Sequence, residues 1–550
     1  MAIKSVNFNK SAHLLAFVAG GFYALGFPNI AQFPLFFGPL LAVGILFSIS
    51  KIDEIQNWKE FKKFTLRPLL TFFLSCTIFG YYWLPYTFKE FGSIIFPFNY
   101  LLSSLFLFIV IPQFWVAFMA LFLIKKKLGS YWKNESLLLK SIFISIIFVT
   151  AEIFVPQQFP THLGHSWLFL APYIGLAPIL GVPIYSFIGY LISFFLAGLF
   201  IQKKARWIFL IYTFPFVIIG LIFKIPTYQK QSDLVPQHQI RIVQANIGNY
   251  LKLSSEGGEL FSIKKIMNFY QRMSTAPSPM PLDLIIWPET AYPYSLDSEL
   301  IIERPFLGPK IFHEITNVMD AELLIGGYAK NYQNHNTLDF ETVFNTAFHF
   351  SKKGRLLNSY HKHRLIPFGE TLPLGPLNKI LAPYLHNISY FAKGQSLPLF
   401  QMKNGGTFIT PICYEILSPT FMREYINSNS SYPQFIVNLT NDSWYGDTIE
   451  PYQHLFLSKW RAVEFNLPVI RSTNTGISSI LYPDGTEGER LNIGQRDKLD
   501  ISLNHENRTP TFYSRWGNLS IFLIMFIIFL FSIPISRHSN FINDRCLNKK

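Results

Sequence analysis

Seven apolar blocks fill the first two-fifths of the chain, and an eighth follows a long polar stretch near its end. They fall at residues 11–27, 33–49, 68–84, 101–124, 141–155, 182–201, 207–223 and 519–535. A helix needs about 20 mostly apolar residues to cross a hydrocarbon core, and these blocks approach that length. Inside a bilayer no water bonds the backbone, so only helices and closed barrels can cross it. A single block could be a buried core helix. Seven in succession argue for a helical membrane bundle, because their connecting loops also alternate in charge.

Lys4 and Lys10 precede the first block, and Lys51, Lys59, Lys62, Lys63 and Arg67 follow the second. Lys125, Lys126, Lys127 and Lys133 follow the fourth, Lys203, Lys204 and Arg206 the sixth, and Arg537, Arg545, Lys549 and Lys550 the eighth. The loops after the first, third and fifth blocks hold almost no basic residue. Cytoplasmic loops carry the excess of Lys and Arg. Both termini are therefore expected inside and residues 225–515 outside. The first block is followed at once by another, so it reads as a retained span and not a cleaved signal. The expected organisation is a membrane domain at 1–224 with seven spans, a soluble domain at 225–515, an eighth span at 516–536 and a cytoplasmic tail at 537–550.

The net charge of +14 does not indicate nucleic acid. Its excess sits in short clusters between apolar blocks, whereas a nucleic-acid face gathers within one folded domain. Only 15% of residues are charged, against about a quarter in a soluble protein. The deficit lies in the first part of the chain. The stretch 225–515 has the composition of a domain that folds in water. Strand-like runs at 240–247, 282–287, 323–327, 343–350, 408–413, 434–439, 469–472 and 478–482 alternate there with helical stretches such as 261–273 and 453–466. The runs are apolar and fairly continuous, as in sheets covered by helices. The expected architecture is a layered α/β domain.

The chain has three cysteines, Cys76, Cys413 and Cys546. On the expected topology only Cys413 lies in the outer domain, so it has no disulfide partner within the chain. A free cysteine is most often a small buried core residue. Cys413, however, sits at the end of an expected strand in the run Thr410-Pro411-Ile412-Cys413-Tyr414-Glu415, and chemistry in α/β proteins gathers at the carboxyl ends of strands. A thiol has a pKa of about 8.5, so a nucleophilic cysteine needs a base or a nearby cation. Glu289, in Trp287-Pro288-Glu289-Thr290, directly follows a strand-like run. Lys362 lies in the basic cluster Tyr360-His361-Lys362-His363-Arg364, ahead of the turn Pro367-Phe368-Gly369-Glu370. Two alternate histidines do not make a metal site, which needs several converging ligands.

Together these segments resemble the carbon–nitrogen hydrolase (nitrilase) superfamily over nearly all of residues 240–503. The resemblance implies a four-layer αββα sandwich and a Glu-Lys-Cys triad of Glu289 as general base, Lys362, and Cys413 as nucleophile. With seven spans before the domain and one after it, the chain resembles the apolipoprotein N-acyltransferases. Further segments agree: Gln244-Ala245-Asn246-Ile247, Asn441-Asp442-Ser443-Trp444-Tyr445-Gly446, Arg471-Ser472-Thr473-Asn474-Thr475-Gly476 and, in the membrane part, Leu176-Ala177-Pro178-Ile179-Leu180-Gly181-Val182. The resemblance also marks Glu370, Tyr414 and Glu415 as supporting the site. Some members carry a tryptophan where this chain has Leu253, so a role for that tryptophan does not carry over.

That family moves an acyl chain from a phospholipid to the N-terminal amine of a diacylglyceryl-cysteine lipoprotein. It works in the inner membrane of bacteria, with its catalytic domain in the periplasm. The resemblance implies a thioester on Cys413, a phospholipid donor, a diacylated apolipoprotein acceptor and contact with membrane lipid, and it calls for no metal or nucleotide cofactor. An alternative is a membrane-tethered amidase that hydrolyses a small amide with the same triad. A transporter is disfavoured by the scarcity of intramembrane charge; the exception, Glu152, is expected to line the mouth beneath the domain. The apolar stretch 377–391 is expected to be a lid or membrane-dipping arm, or else a packed surface helix.

Overall fold

The computed structural model describes residues 8–29, 35–92, 94–129, 131–132, 135–157, 159–201, 218, 221–225, 237–330, 343–367, 369–372, 375–384 and 388–547. The chain divides into two compact units. One comprises Met1–Pro226, Thr448–Trp460 and Trp516–Lys550; the other comprises Thr227–Asp447 and Arg461–Arg515.

The first unit is helical. Among the described residues, Leu137–Phe154 is by itself long and apolar enough to cross a membrane. Ser11–Leu25, Gly38–Ser50, Val182–Phe194 and Asn518–Ile533 are apolar but shorter. Two of the expected spans are bent. The block at 68–84 breaks after Phe79, with 82° between Trp58–Phe79 and the helix that restarts at Trp83. The block at 101–124 breaks into Phe98–Val110 and Gln113–Leu128, at 61°. Pro112 stands at that second break, where its missing N–H and its ring interrupt the helical ladder. With each bent pair taken as one span, up to three cross by length and composition. The block at 207–223 lies almost wholly outside the described residues.

Close approach holds the bundle together. A side chain at Gly20 would sit 2.3 Å from the Phe72 carbonyl oxygen, and Ser75 donates to the Phe17 carbonyl at 2.6 Å. Small residues at helix contacts allow this approach where water supplies no driving force. Lys125 is buried and donates to the carbonyls of Ile52 and Ile55 at 2.6 and 2.8 Å. Trp132 donates to Asp53 at 2.7 Å. The loops after the second and fourth blocks therefore meet at one end of the bundle. Glu152 is buried inside this unit. One of its carboxylate oxygens accepts from the Leu163 N–H at 2.9 Å and the Tyr190 hydroxyl at 2.7 Å.

The segment Thr448–Trp460, expected to belong to the outer domain, is part of this helical unit. Gln453 accepts from Trp83 Nε1 at 3.1 Å and donates to the carbonyls of Pro28 and Gly80 at 2.9 and 2.7 Å. Trp460 donates from its indole to the His165 carbonyl at 3.0 Å.

The second unit contains two sheets. The strands are β1 (Gln237–Gln244), β2 (Leu284–Ile286), β3 (Ser295–Leu296), β4 (Glu322–Lys330), β5 (Val343–Phe350), β6 (Leu356–His361), β7 (Phe400–Gln401), β8 (Thr407–Ile409), β9 (Phe435–Thr440), β10 (Val469–Thr473), β11 (Ser478–Leu481), β12 (Glu487–Leu491) and β13 (Asp497–Asn504). One sheet runs β13-β1-β2-β4-β5-β6, with β3 beside β4; the other runs β12-β11-β10-β9-β8-β7. In each, three parallel strands form the middle: β1, β2 and β4, and β8, β9 and β10. Strands buried on both faces read as continuous apolar runs, as in Leu284-Ile285-Ile286, all fully buried.

The sheets lie face to face. The ring of His349 on β5 packs 5.9 and 5.7 Å from Phe400 and Phe408. Gln244 on β1 accepts from Thr473 at 3.1 Å and Ser478 at 2.6 Å on the opposite sheet. Helices Leu260–Ser274 and Lys310–Met319 cover the outer face of the first sheet, setting Ile266, Tyr270, Phe312 and Ile315 against Trp287, Leu323 and Phe350. Arg241 ties β1 to the end of Leu260–Ser274 through the Ser274 carbonyl at 2.9 Å while pairing with Asp500 at 2.7 Å. Helix Pro419–Asn427 buries Phe421, Met422, Tyr425 and Ile426.

In the stretch 377–391 the described residues form short turns, Gly375–Leu377, Asn378–Leu381 and Ala382–Tyr384. Leu377 and Ile380 are exposed; residues 385–387 lie outside the described residues.

Gln453→Leu removes three hydrogen bonds in the helical unit and leaves buried partners unmatched, each at a cost of about 1–3 kcal/mol. The expected result is a clear fall in Tm for the detergent-solubilised protein, measured by tryptophan fluorescence, with a smaller fall for Gln453→Glu, which keeps the acceptor for Trp83.

Candidate active site

Glu289 sits on a tight turn after β2. Trp287 anchors the turn: its ring stacks 4.5 Å from Tyr270, and its indole donates to Ser274 at 2.8 Å. The next residues lie directly over β4 at Gly326. A Cβ there would sit 2.3 Å from the Pro288 carbonyl and 2.6 Å from the Glu289 Cα. Only glycine permits that approach. Thr290 follows with a φ of 48°.

Lys362 directly follows β6. Its N–H donates to the Asn345 carbonyl at 2.8 Å, and its own carbonyl accepts from Gly394 at 2.8 Å. Its side chain is completely buried. Its Nζ lies 3.1 Å from Glu289 Oε1 and 2.8 Å from Glu370 Oε1. Asn345 joins the same two oxygens, donating at 2.7 Å to Glu289 and 3.3 Å to Glu370. The second oxygen of Glu370 accepts from the Ile366 N–H at 2.9 Å.

Cys413 was expected on a strand end. The strand stops earlier, at Ile409, and Cys413 opens the 3-10 turn Cys413–Leu417 with a φ of 53°. A non-glycine residue rarely adopts this conformation, and the strain costs about 1–3 kcal/mol. Asn438 on β9 holds the turn through the carbonyls of Pro411 at 3.0 Å and Cys413 at 3.2 Å. Arg471 on β10 in turn donates to Asn438 at 3.1 Å and Asp442 at 2.8 Å. The thiol is almost fully buried.

The electrostatics follow from this burial. For Lys362, burial disfavours the charge but is outweighed by Glu289 and Glu370, and its pKa is held well above the ordinary value. For Cys413, burial first and the Glu289 carboxylate second push the pKa well up, while Lys362 pulls it down. The resting group is a thiol, with a carboxylate in its field that can take the proton.

Glu415 joins the two loops. Its Oε1 accepts from the N–H groups of His363 at 2.7 Å and Arg364 at 2.8 Å; its Oε2 accepts from the Ile412 N–H at 2.8 Å and the Tyr360 hydroxyl at 2.7 Å. One carboxylate thus fixes the residues after Lys362 to the residue before Cys413. Tyr414 is half-buried and stacks on Tyr445 with ring centroids 6.0 Å apart. Leu253 is exposed. The two histidines beside Lys362 have separate partners: His361 bonds Thr346 at 2.8 Å, and His363 bonds the His361 carbonyl at 2.9 Å.

Glu289, Lys362 and Glu370 are therefore in direct contact, with Cys413 in their field, and Glu415 supports them from behind. Sequence reasoning missed Asn345 and Asn438. Asn345 and Asn438 are polar interruptions in apolar strand runs. Such an interruption in a doubly covered strand must find a buried partner, and that was the available signal.

Burial raises the Glu415 carboxyl to about 7, against the pull of its N–H and hydroxyl donors. Because the folded value lies above the ordinary one, this group's contribution to stability is full below about 4.5 and is lost as pH rises through about 7. Opening that returns the carboxyl to solvent has the same sign, because protonation at the raised value stabilises the closed loops. Hydrogen exchange at the His363, Arg364 and Ile412 amides, corrected for intrinsic rate, should therefore slow as pH falls from 8 to 6. Glu415→Gln, which cannot titrate, should lose this pH dependence, at a cost of roughly 1–3 kcal/mol.

Residues 239–495 match the carbon-nitrogen hydrolase family model, and residues 19–195 match the model of the apolipoprotein N-acyltransferase N-terminal domain. An apolipoprotein N-acyltransferase of Bdellovibrio bacteriovorus is 28% identical over 475 residues, covering 82% of each chain. One of Rickettsia prowazekii is 27% identical over 512 residues, covering 90% of this chain and 95% of its own. Among solved structures, an amidase of the nitrilase superfamily from Nesterenkonia AN1 covers 52% of this chain and 98% of its own at 16% identity and a TM-score of 0.35. With its N-terminal and hydrolase-type regions both matched, and relatives aligned across most of its length, the chain belongs to the apolipoprotein N-acyltransferase family.

Proposed function

We propose that this protein transfers an acyl chain from a phospholipid to the N-terminal amine of a diacylglyceryl-cysteine apolipoprotein, through a thioester on Cys413. The observation that carries the reading is the buried contact of Lys362 with both Glu289 and Glu370 beside a protonated thiol. Glu289 takes the proton from Cys413, and the thiolate attacks the donor ester carbonyl. Lys362 stabilises the oxyanion that forms. The intermediate collapses to the thioester; the leaving alkoxide takes the proton back from Glu289 and departs as the lysophospholipid. The acceptor amine then attacks the thioester, Glu289 again manages the proton, and the amide product leaves Cys413 as a thiol.

Glu370 holds Lys362 in place, Glu415 holds the loops on which Lys362 and Cys413 stand, and Tyr414 borders the site. The proposed setting is the bacterial inner membrane, multi-pass, with the catalytic domain in the periplasm and both termini in the cytoplasm. Supporting that orientation, the lysine-bearing loops after the second and fourth blocks share one end of the bundle. The exposed Leu377 and Ile380 support a lipid-facing role for the stretch 377–391.

Mass spectrometry after incubation with phospholipid alone should show an acyl adduct on Cys413 that disappears when a diacylated lipopeptide is added. Cys413→Ala should show none. A wild-type protein that never acylates overturns the scheme, and release of free fatty acid at the same rate without acceptor would mark a hydrolase. Leu377→Glu with Ile380→Glu should slow acylation by vesicle phospholipid while sparing a short-chain soluble thioester donor; equal rates with both donors would remove the lipid-facing role.

A further inference from the structure

A second lysine stands beside the Glu289–Thr290 turn. Lys252 lies on the short helix Asn249–Glu256, and its side chain is only 14% exposed. Its Nζ donates to the hydroxyl of Thr290, the left-handed residue next to Glu289. It also lies 3.9 Å from Glu256 Oε1, which accepts from the Tyr328 hydroxyl at 2.5 Å. Lys252, Thr290, Glu289, Tyr270 and Asn474 line one small cleft. Behind the turn, Gly326 leaves no room for the Glu289 backbone to retreat. The turn is thus held by backbone packing at Gly326 and, at its Thr290 hydroxyl, by Lys252 and Tyr328.

We infer that Lys252 is a positioning residue of the reaction: by holding the Thr290 hydroxyl it keeps the strained Glu289–Thr290 turn in place, and its charge supports the cluster as negative charge moves onto Cys413. The inference rests on the triad reading above. Burial lowers the pKa of Lys252, and Glu256, then Glu289 and Cys413, act against that burial. The ammonium therefore senses both reacting groups through its charge. A charge-assisted hydrogen bond is worth more than a neutral one, which makes this bond the strong tie at a position where the backbone is strained.

The test uses full-length protein in detergent, single-turnover acylation by phospholipid, and the pH profile of Cys413 alkylation by iodoacetamide. Lys252→Met and Thr290→Val should each slow acylation at saturating donor by about tenfold or more, with the donor KM unchanged. Lys252→Met should also move the alkylation midpoint to higher pH. The double variant should be no slower than the worse single one, because both break the same bond. Thr290→Ser, which keeps the hydroxyl, should react near the wild-type rate and controls for a folding defect. A Lys252→Met protein with wild-type rate and pH profile overturns the inference, provided that Glu289→Gln and Cys413→Ala are inactive in the same assay. An additive double variant also overturns it. Acylation surviving in Glu289→Gln would instead overturn the triad reading, and this inference with it.

Discussion

The site depends on a fully buried ammonium that touches two carboxylates. An isolated charge in such a place is costly, and paired burial succeeds only where the remaining hydrogen bonds are also made. Here Asn345 and the Ile366 amide supply those bonds. Removing one partner of such a group costs about 3–5 kcal/mol, because the other charge stays buried. The cluster of Lys362, Glu289, Glu370 and a neutral Cys413 thiol carries one net negative charge. In the proposed mechanism Glu289 takes the thiol proton, and that total does not change. The charge moves from a carboxylate to a sulfur within a fixed cage, so little of the surroundings has to reorganise. Preorganisation of this kind is the usual source of large electrostatic effects in catalysis.

Backbone strain recurs at the same place. Asn246, Thr290 and Cys413 all have left-handed φ values, and each follows a parallel strand of the sheet core. Each strained residue is held by a named partner. Asn246 donates its backbone N–H to the Asn474 carbonyl at 3.0 Å, Thr290 accepts from Lys252, and Cys413 is gripped through its carbonyl by Asn438. The network from Arg471 through Asn438 to the cysteine turn passes through the middle of the second sheet. The position of the thiol is therefore set by the sheet interior, not by a surface loop.

All eight strand-like runs read from hydrophobicity correspond to observed strands, because doubly covered strands carry an unbroken apolar signal. The strands that escaped notice, such as β12 and β13, are polar on one face and run through Glu487, Glu489, Lys498 and Asp500. Glu289, Lys362 and Cys413 were singled out from the runs in which they stand and joined as a triad by resemblance; the fold brings Lys362 against Glu289, with Cys413 in their field. Glu415 was singled out by resemblance alone; its bridging of two loops is visible only once β6 and the cysteine turn are brought together. Lys252 gave no signal, since one lysine on a short polar helix resembles a solvated one. The bends at Gly80–Tyr82 and Pro112 were obscured for another reason: hydropathy averages over the residues that break a helix.

The segment Thr448–Trp460 bears on how such a protein can be divided. By chain order it lies inside the hydrolase-type region, yet Gln453 and Trp460 satisfy their polar atoms on Trp83, Pro28, Gly80 and His165. A fragment trimmed to 227–515 would carry these side chains away from every one of those partners. It would expose an indole and a carboxamide shaped for a bundle that is no longer there, together with the apolar Leu455 and Leu457 beside them. Sequence continuity is thus a poor guide to where this chain can be cut, and a gene fusion or truncation that respects the fold has to keep both stretches of helix with the thirteen residues between Asp447 and Arg461.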